Sequence, residues 1–224
     1  SNPGVNIAST LVVGSARHEA LLQAQLPGAD LILEPFGRNS APAVAAACLV
    51  SAPDDLLLIL PADHHIEHPE KFLEALAIGQ AAAEAGAIIT FGIQPTHAAI
   101  DYGYIEFSPS ETEAKLVKQF VEKPPLETAK AYLSSGQFLW NAGIFLFKAS
   151  TMLDAFKQYA PSILDTVRSA LGTPVNGIWR LDPSVFSEAD SISIDYASMV
   201  NEDNIQVVPV DMGWSDVGDY GALW

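Results

Sequence analysis

The chain has 224 residues, with 27 acidic against 11 basic side chains, so its formal net charge is −16. Hydrophobic residues make up 49% and charged residues 17%, which supplies a core and excludes a disordered chain, while a single cysteine excludes a disulfide scaffold or a multi-cysteine zinc site. So acidic a balance argues against a nucleic-acid binder, which uses a basic stripe, and against docking on an anionic membrane surface.

The chain opens Ser1-Asn2-Pro3-Gly4 with no basic and apolar leader. Its longest apolar runs, such as Ala41–Val50 and Leu56–Pro61, fall far short of the roughly 20 residues a bilayer needs. The expectation is a soluble, cytoplasmic protein. Thr10–Gly14 is predicted to be a buried strand and Ala16–Leu26 an amphipathic helix. Asp30–Glu34 is the second strand, and Ala41–Ser51 is a helix with Pro42 in its first turn. Asp55–Leu60 is the third strand, Pro69–Ala85 a long helix closed by Gly86, and Ala87–Ile93 the fourth strand. This strand–helix rhythm, with nearly continuous apolar strands, predicts a parallel sheet covered on both faces.

The second half changes character. Strands are predicted at Tyr104–Ser108, Ala114–Val121, Phe138–Phe147 and Asn204–Val210. Helices are predicted at Glu127–Ser134, Lys148–Tyr159 and Ser162–Leu171, and a flexible loop at Gly172–Gly177. The expectation is a mainly parallel, mixed sheet with helical insertions, packed as one unit.

General motifs say little. There is no GxGxxG or GxxxxGK[ST] fingerprint, and Gly213-Trp-Ser-Asp-Val-Gly218 places its second glycine one residue too late for a nucleophile elbow. His64, His65 and His68 follow a strand and read as a solvated loop entering a helix, although His64 and His68 have the i, i+4 spacing of a metal pair. Cys48, in an alanine-rich helix, reads as a small buried side chain. Asp63 follows the apolar strand in Leu60-Pro61-Ala62-Asp63, where open α/β sheets bind ligands. It reads equally as a metal ligand or as a turn aspartate, and Asp216 before Gly218 has the same two readings. Glu122-Lys123-Pro124 is either a surface ion pair or a lysine that meets a bound anion, with Pro124 biasing Lys123 towards extended backbone.

Eight strings in order resemble the sugar-nucleotide pyrophosphorylases, and within them the bacterial mannose-1-phosphate guanylyltransferases. They are Leu33-Glu-Pro-Phe-Gly-Arg-Asn-Ser-Ala-Pro42, Leu60-Pro-Ala-Asp-His64, Thr90-Phe-Gly-Ile93, Tyr102-Gly-Tyr-Ile-Glu106, Gln119-Phe-Val-Glu-Lys-Pro124, Trp140-Asn-Ala-Gly-Ile-Phe145, Ser193-Ile-Asp-Tyr-Ala197 and Gly213-Trp-Ser-Asp-Val-Gly218. The resemblance implies a Rossmann-like α/β nucleotidyltransferase domain over residues 1–224. It implies the reaction of GTP with α-D-mannose 1-phosphate to give GDP-mannose and pyrophosphate, with Mg²⁺ as cofactor. A sister nucleotidyltransferase with another sugar or base, or an inactive regulatory relative, are the alternative readings, and a homo-oligomer is left open. The family's opening strand and Gly-rich loop have no counterpart here. The expectation is therefore a domain shortened at its N-terminus, without the β-rich or cupin isomerase region that follows in relatives.

The resemblance also implies roles. Asp63 and Asp216 would hold Mg²⁺, with Asp216 and Lys123 as the catalytic pair. Lys123 would neutralise the sugar phosphate and Glu122 accept from sugar hydroxyls. Gly103, Asn141 and Gly143 would line the sugar pocket. Glu34 would accept from guanine N1–H and N2–H₂, with Gly37, Arg38 and Asn39 completing the nucleotide site.

Overall fold

The computed structural model describes residues 6–109, 112–199 and 204–216. Two compact units share the chain discontinuously, residues 6–55 with 149–199 and residues 56–148 with 204–216.

The first unit is built on a three-stranded parallel sheet in the order β1 (Leu11–Ser15), β2 (Asp30–Glu34), β9 (Ile178–Arg180). The β1-to-β2 connection carries a short 3₁₀ turn and α1 (Glu19–Gln25). β2 leads into α2 (Ser40–Val50), whose Ala41, Pro42, Val44, Ala45, Ala46, Ala47 and Cys48 are all buried. A helix buried on nearly every side has no room for charge, which is why this segment carries none. It packs on α5 (Ala149–Tyr159) and α6 (Pro161–Ala170), and α6 packs on α7 (Pro183–Phe186). Pro161, at the boundary between α5 and α6, occupies the first turn of α6, where its missing N–H costs nothing. The predicted flexible loop is instead a tight turn. Val175 and Ile178 exchange both backbone hydrogen bonds, while Asn176 and Gly177 sit at φ 52° and 75°, the conformation of a type I′ hairpin.

The second unit is a six-stranded mixed sheet in the order β3 (Leu56–Ile59), β8 (Phe138–Lys148), β5 (Ile88–Ile93), β10 (Ile205–Pro209), β7 (Lys115–Glu122), β6 (Gly103–Phe107). β5 and β10 are parallel, and β8 runs antiparallel between β3 and β5, which therefore share a direction without pairing directly. At eleven residues β8 is long enough to pair also with β6, so β5, β10, β7, β6 and β8 close a ring around Ile105, Leu139 and Val207. Helix α3 (Pro69–Glu84) covers β5, β8 and β10, its end marked by Gly86 at φ 96°, and α4 (Leu126–Ser135) lies on β8. A two-residue ladder joins β4 (His65–Ile66) to β11 (Trp214–Ser215). Among the described residues no helix is long and apolar enough to cross a membrane.

Candidate active site

Asp63 lies in the turn after β3, and Asp216 is the residue after β11. They are 216 − 63 = 153 positions apart, yet the ladder pairs Ser215 with His65 and so brings both to His64. The charges of Asp63 and Asp216 both act on the His64 imidazole; burial nevertheless dominates and lowers its pKa. His64 is not the solvated residue its sequence context predicts. Trp214 Nε1–H donates to its Nδ1 at 3.1 Å, and the two rings meet edge to face. His64 and His68 share no helix face, because α3 begins at Pro69.

One end of the strand ring gathers the other predicted residues of this unit. Gly103 opens β6 opposite Glu122, which ends β7. A Cβ on Gly103 would come within 2.7 Å of Glu122 Oε2 and 2.8 Å of the Phe120 ring, so the bare Cα is what admits the glutamate side chain. Burial raises the Glu122 pKa, and Lys123, whose Nζ is 3.8 Å from Oε1, opposes that shift. Lys123 is not extended. Its φ is 46°, in the left-handed region, and its N–H donates to the Tyr102 carbonyl at 3.2 Å. That bond folds the chain back at the end of the β6–β7 ladder and outweighs the bias from Pro124.

Asn141 and Gly143 lie in a bulge of β8. Between the pairs Thr90↔Phe145 and Gly92↔Asn141, β8 advances 145 − 141 = 4 positions while β5 advances 92 − 90 = 2. The extra residues need the left-handed φ of 67° at Gly143. Thr90, only 2% exposed, donates to Asn141 Oδ1 at 3.0 Å, and Gly143 N–H donates to the same oxygen at 3.2 Å. The carboxamide oxygen of Asn141 is thereby fixed. A row of edge-on rings, His97, Trp140, Tyr102, Trp214 and His64, runs beside these residues. The Tyr102 hydroxyl is 3.5 Å from Asp216 Oδ1.

Glu34, Gly37, Arg38 and Asn39 belong to the other unit, on the loop from β2 to α2. Burial pushes the Glu34 carboxyl up to about 7, and its Oε1 has no hydrogen-bond partner among the described residues. The Arg38 guanidinium stacks over Phe36 at 5.0 Å and donates from Nη2 to the Ser187 carbonyl, while its buried Nε has no partner among those residues. Asn39, at φ 65°, accepts from Ser40 N–H and starts α2. The Ser193–Ala197 string and the residue before it serve this helix start: the Ile192 carbonyl accepts from Ala41 N–H, and Ile194 N–H, within the string, donates to Ser40 Oγ.

The nucleotidyl transferase family model matches residues 4–224. The chain belongs to the nucleotidyl transferase family. Mannose-1-phosphate guanylyltransferase of Escherichia coli is 41% identical over 238 residues, covering 99% of this chain and 50% of that protein. A crystal structure of mannose-1-phosphate geranyltransferase from Thermus thermophilus superposes with a TM-score of 0.84 at 35% identity, over 96% of this chain and 62% of that one. A crystal structure of mannose-6-phosphate isomerase from Helicobacter pylori gives 0.84 at 31% identity, over 93% and 86%. The chain spans about half the length of the curated relatives it matches.

For a nucleotidyl transferase the donor set around His64 is telling. Among the described residues no three His, Cys, Asp or Glu side chains are placed to hold a metal ion, but Asp63 and Asp216 provide two hard oxygens. Mg²⁺ takes one or two carboxylates and completes its shell with water and substrate phosphates, so these residues fit such an ion. His64, Trp214, Thr90 and Tyr102 escape a reading by motif role. Their part depends on a cross-strand pair, a bulge and a ring stack that only the fold creates. Val217 and Gly218, which end the last matching string, lie outside the described residues.

Proposed function

We propose that the protein transfers a guanylyl group from GTP to α-D-mannose 1-phosphate, giving GDP-mannose and pyrophosphate, with residues 1–224 acting as its nucleotidyltransferase domain. A phosphate oxygen of the sugar phosphate attacks the α-phosphorus, and the bond from that phosphorus to the bridging oxygen breaks, so pyrophosphate leaves with the electron pair. The attacking oxygen is already anionic, so positioning and charge neutralisation do the work rather than a general base. Lys123 neutralises the sugar phosphate beside Glu122, which accepts from sugar hydroxyls. Asn141 lines the sugar pocket, and Gly103 and Gly143 leave space. Glu34 accepts from the guanine edge, with Gly37, Arg38 and Asn39 around the nucleotide. Asp63 and Asp216 hold Mg²⁺, which supplies positive charge to the phosphates when bound.

The observation that carries this reading is the arrival of two carboxylates 153 positions apart at one imidazole. The names of the relatives supply the substrates. The test is turnover with GTP, ATP, UTP and dTTP against mannose 1-phosphate, repeated with Asp216→Asn. GTP should be preferred, and Asp216→Asn should abolish turnover while the circular dichroism spectrum is unchanged. Equal use of all four nucleotides, or full activity in Asp216→Asn, would overturn the reading.

A further inference from the structure

We propose that His64 is a positioning residue: by accepting the Trp214 indole N–H it locks the turn bearing Asp63 against the strand bearing Asp216, so that two distant carboxylates act as one divalent-cation site. This rests on the reading that the two aspartates hold the cation.

The ladder that brings them together is short. Its paired positions are Ile66↔Trp214 and His65↔Ser215, and on one side it is continued by Glu67 N–H to the Gly213 carbonyl and His68 N–H to the Met212 carbonyl. Both aspartates lie past the opposite end, Asp216 one residue beyond Ser215 and Asp63 two residues before His65. A two-stranded ribbon has little stability of its own, so the geometry past its end needs a further constraint. His64 and Trp214 are diagonal neighbours across the two strands, a separation that large aromatic side chains span.

An indole N–H can only donate, so at 3.1 Å His64 Nδ1 must accept and the imidazole proton sits on Nε2. The imidazole therefore cannot offer Nδ1 to a metal, and its role is to fix its neighbours. Gly143 of the bulge lies on its other side: a Cβ there would reach ordinary contact distance, 3.6 Å from His64 Cε1 and 3.8 Å from Pro61 Cγ, and the bare glycine leaves that side of the ring open. Trp214 is itself braced against Tyr102, with ring centroids 5.2 Å apart. The imidazole is thus fixed by the indole through a hydrogen bond and an edge-to-face ring contact, with one aspartate on each chain segment it joins.

The experiment measures Mn²⁺ affinity from the electron paramagnetic resonance signal of the free ion, with no sugar phosphate present, for four variants. Trp214→Phe keeps an aromatic ring and removes the N–H. His64→Asn places an acceptor oxygen near the position of Nδ1, and His64→Gln places its amide near Nε2. Asp216→Asn tests the underlying metal reading separately. Groups that orient metal ligands typically change metal affinity about 10- to 100-fold when lost. Trp214→Phe and His64→Gln should therefore weaken Mn²⁺ binding at least about tenfold, while His64→Asn stays within about threefold of the parent. Wild-type Mn²⁺ affinity in Trp214→Phe, or rescue by Gln rather than Asn, would overturn the proposal. Unchanged Mn²⁺ affinity in Asp216→Asn would instead remove the metal reading, and the proposal with it. Should Trp214→Phe fail to fold, the Asn and Gln pair still decides.

Discussion

Glu34 offers the sharpest pH test of the guanine assignment. Its carboxyl is pushed up to about 7 by burial, and the carboxylate is the form that can accept from guanine N1–H and N2–H₂ together. With a pKa of about 7, about nine-tenths is ionised at pH 8 and about one-tenth at pH 6. Binding that requires the ionised form should weaken about tenfold across that interval, or about 1.4 kcal/mol. GDP-mannose is the ligand of choice, since its diphosphate has no terminal phosphate to titrate in this window. Calorimetric titrations at pH 6, 7 and 8 should show the slope, and Glu34→Gln should flatten it. Stability follows the same linkage with a fixed sign. The folded pKa lies above the unfolded value of 4.5, so the folded state holds the proton more tightly, and stability is lost as pH rises from about 4.5 through about 7. Discounted for solvent screening of a partly exposed group, that loss is about 1–2 kcal/mol, and Glu34→Gln should escape it. A GDP-mannose affinity that is flat between pH 6 and 8, or a slope equal in Glu34→Gln, would refute the reasoning.

The remaining expectations concern the other unit. Lys123→Ala should raise the apparent KM for mannose 1-phosphate at least about tenfold, or about 1.4 kcal/mol, a floor just below the roughly 2–5 kcal/mol typical of a lost charged contact, and leave that for GTP nearly unchanged. Lys123→Gly should show the same loss of binding with a folded state more stable than that of Lys123→Ala by about 1 kcal/mol in urea unfolding, since glycine tolerates φ 46°. Thr90→Val, a near-isosteric change at a buried position, should cost about 1–2 kcal/mol of stability by removing the donor to Asn141, and should raise KM for the sugar phosphate more than for GTP.

Most elements were readable because burial imposes simple patterns. Asp30–Glu34 was predicted residue for residue, and α2 and α3 within two positions, because an apolar run between turn signals leaves few alternatives. What stayed hidden was pairing. Nothing in Phe138–Lys148 announces that it will run antiparallel between β3 and β5 and reach β6 as well, since a strand buried on both faces reads the same in either direction. The ladder of β4 and β11 is two residues long and therefore has no period to detect. Asn176-Gly177 does carry a local signal, since Asn-Gly is the strongest short indication of a type I′ turn, and it outweighs the loop-like composition of Gly172–Gly177. The matching strings contain the candidate residues Asp63, Glu122, Lys123, Asn141 and Asp216 and also His64, Thr90, Tyr102 and Trp214, but no string states which side chain orients another. Thr90 sits in a matching string for a reason no string states: its hydroxyl fixes the carboxamide of a residue on the neighbouring strand.

The backbone of Lys123 adds a constraint that composition alone would not suggest. Among the described residues the non-glycine positions with left-handed φ are Asn39, Lys123 and Asn176. Asn176 belongs to a turn type that demands it, and asparagine visits this region readily. Lysine has no such local hydrogen bond to offer, so the conformation costs about 1–2 kcal/mol that glycine would avoid. The fold enforces it through the Tyr102 carbonyl on one side and buried Pro124 on the other. Here a position that would be more stable as glycine carries an ammonium, 62% exposed and 3.8 Å from Glu122, which supports the proposed role of Lys123 as a contact for an anionic ligand. In a protein of net charge −16, whose long-range field repels anionic ligands, Lys123 is the local cation on which the proposed sugar-phosphate contact rests.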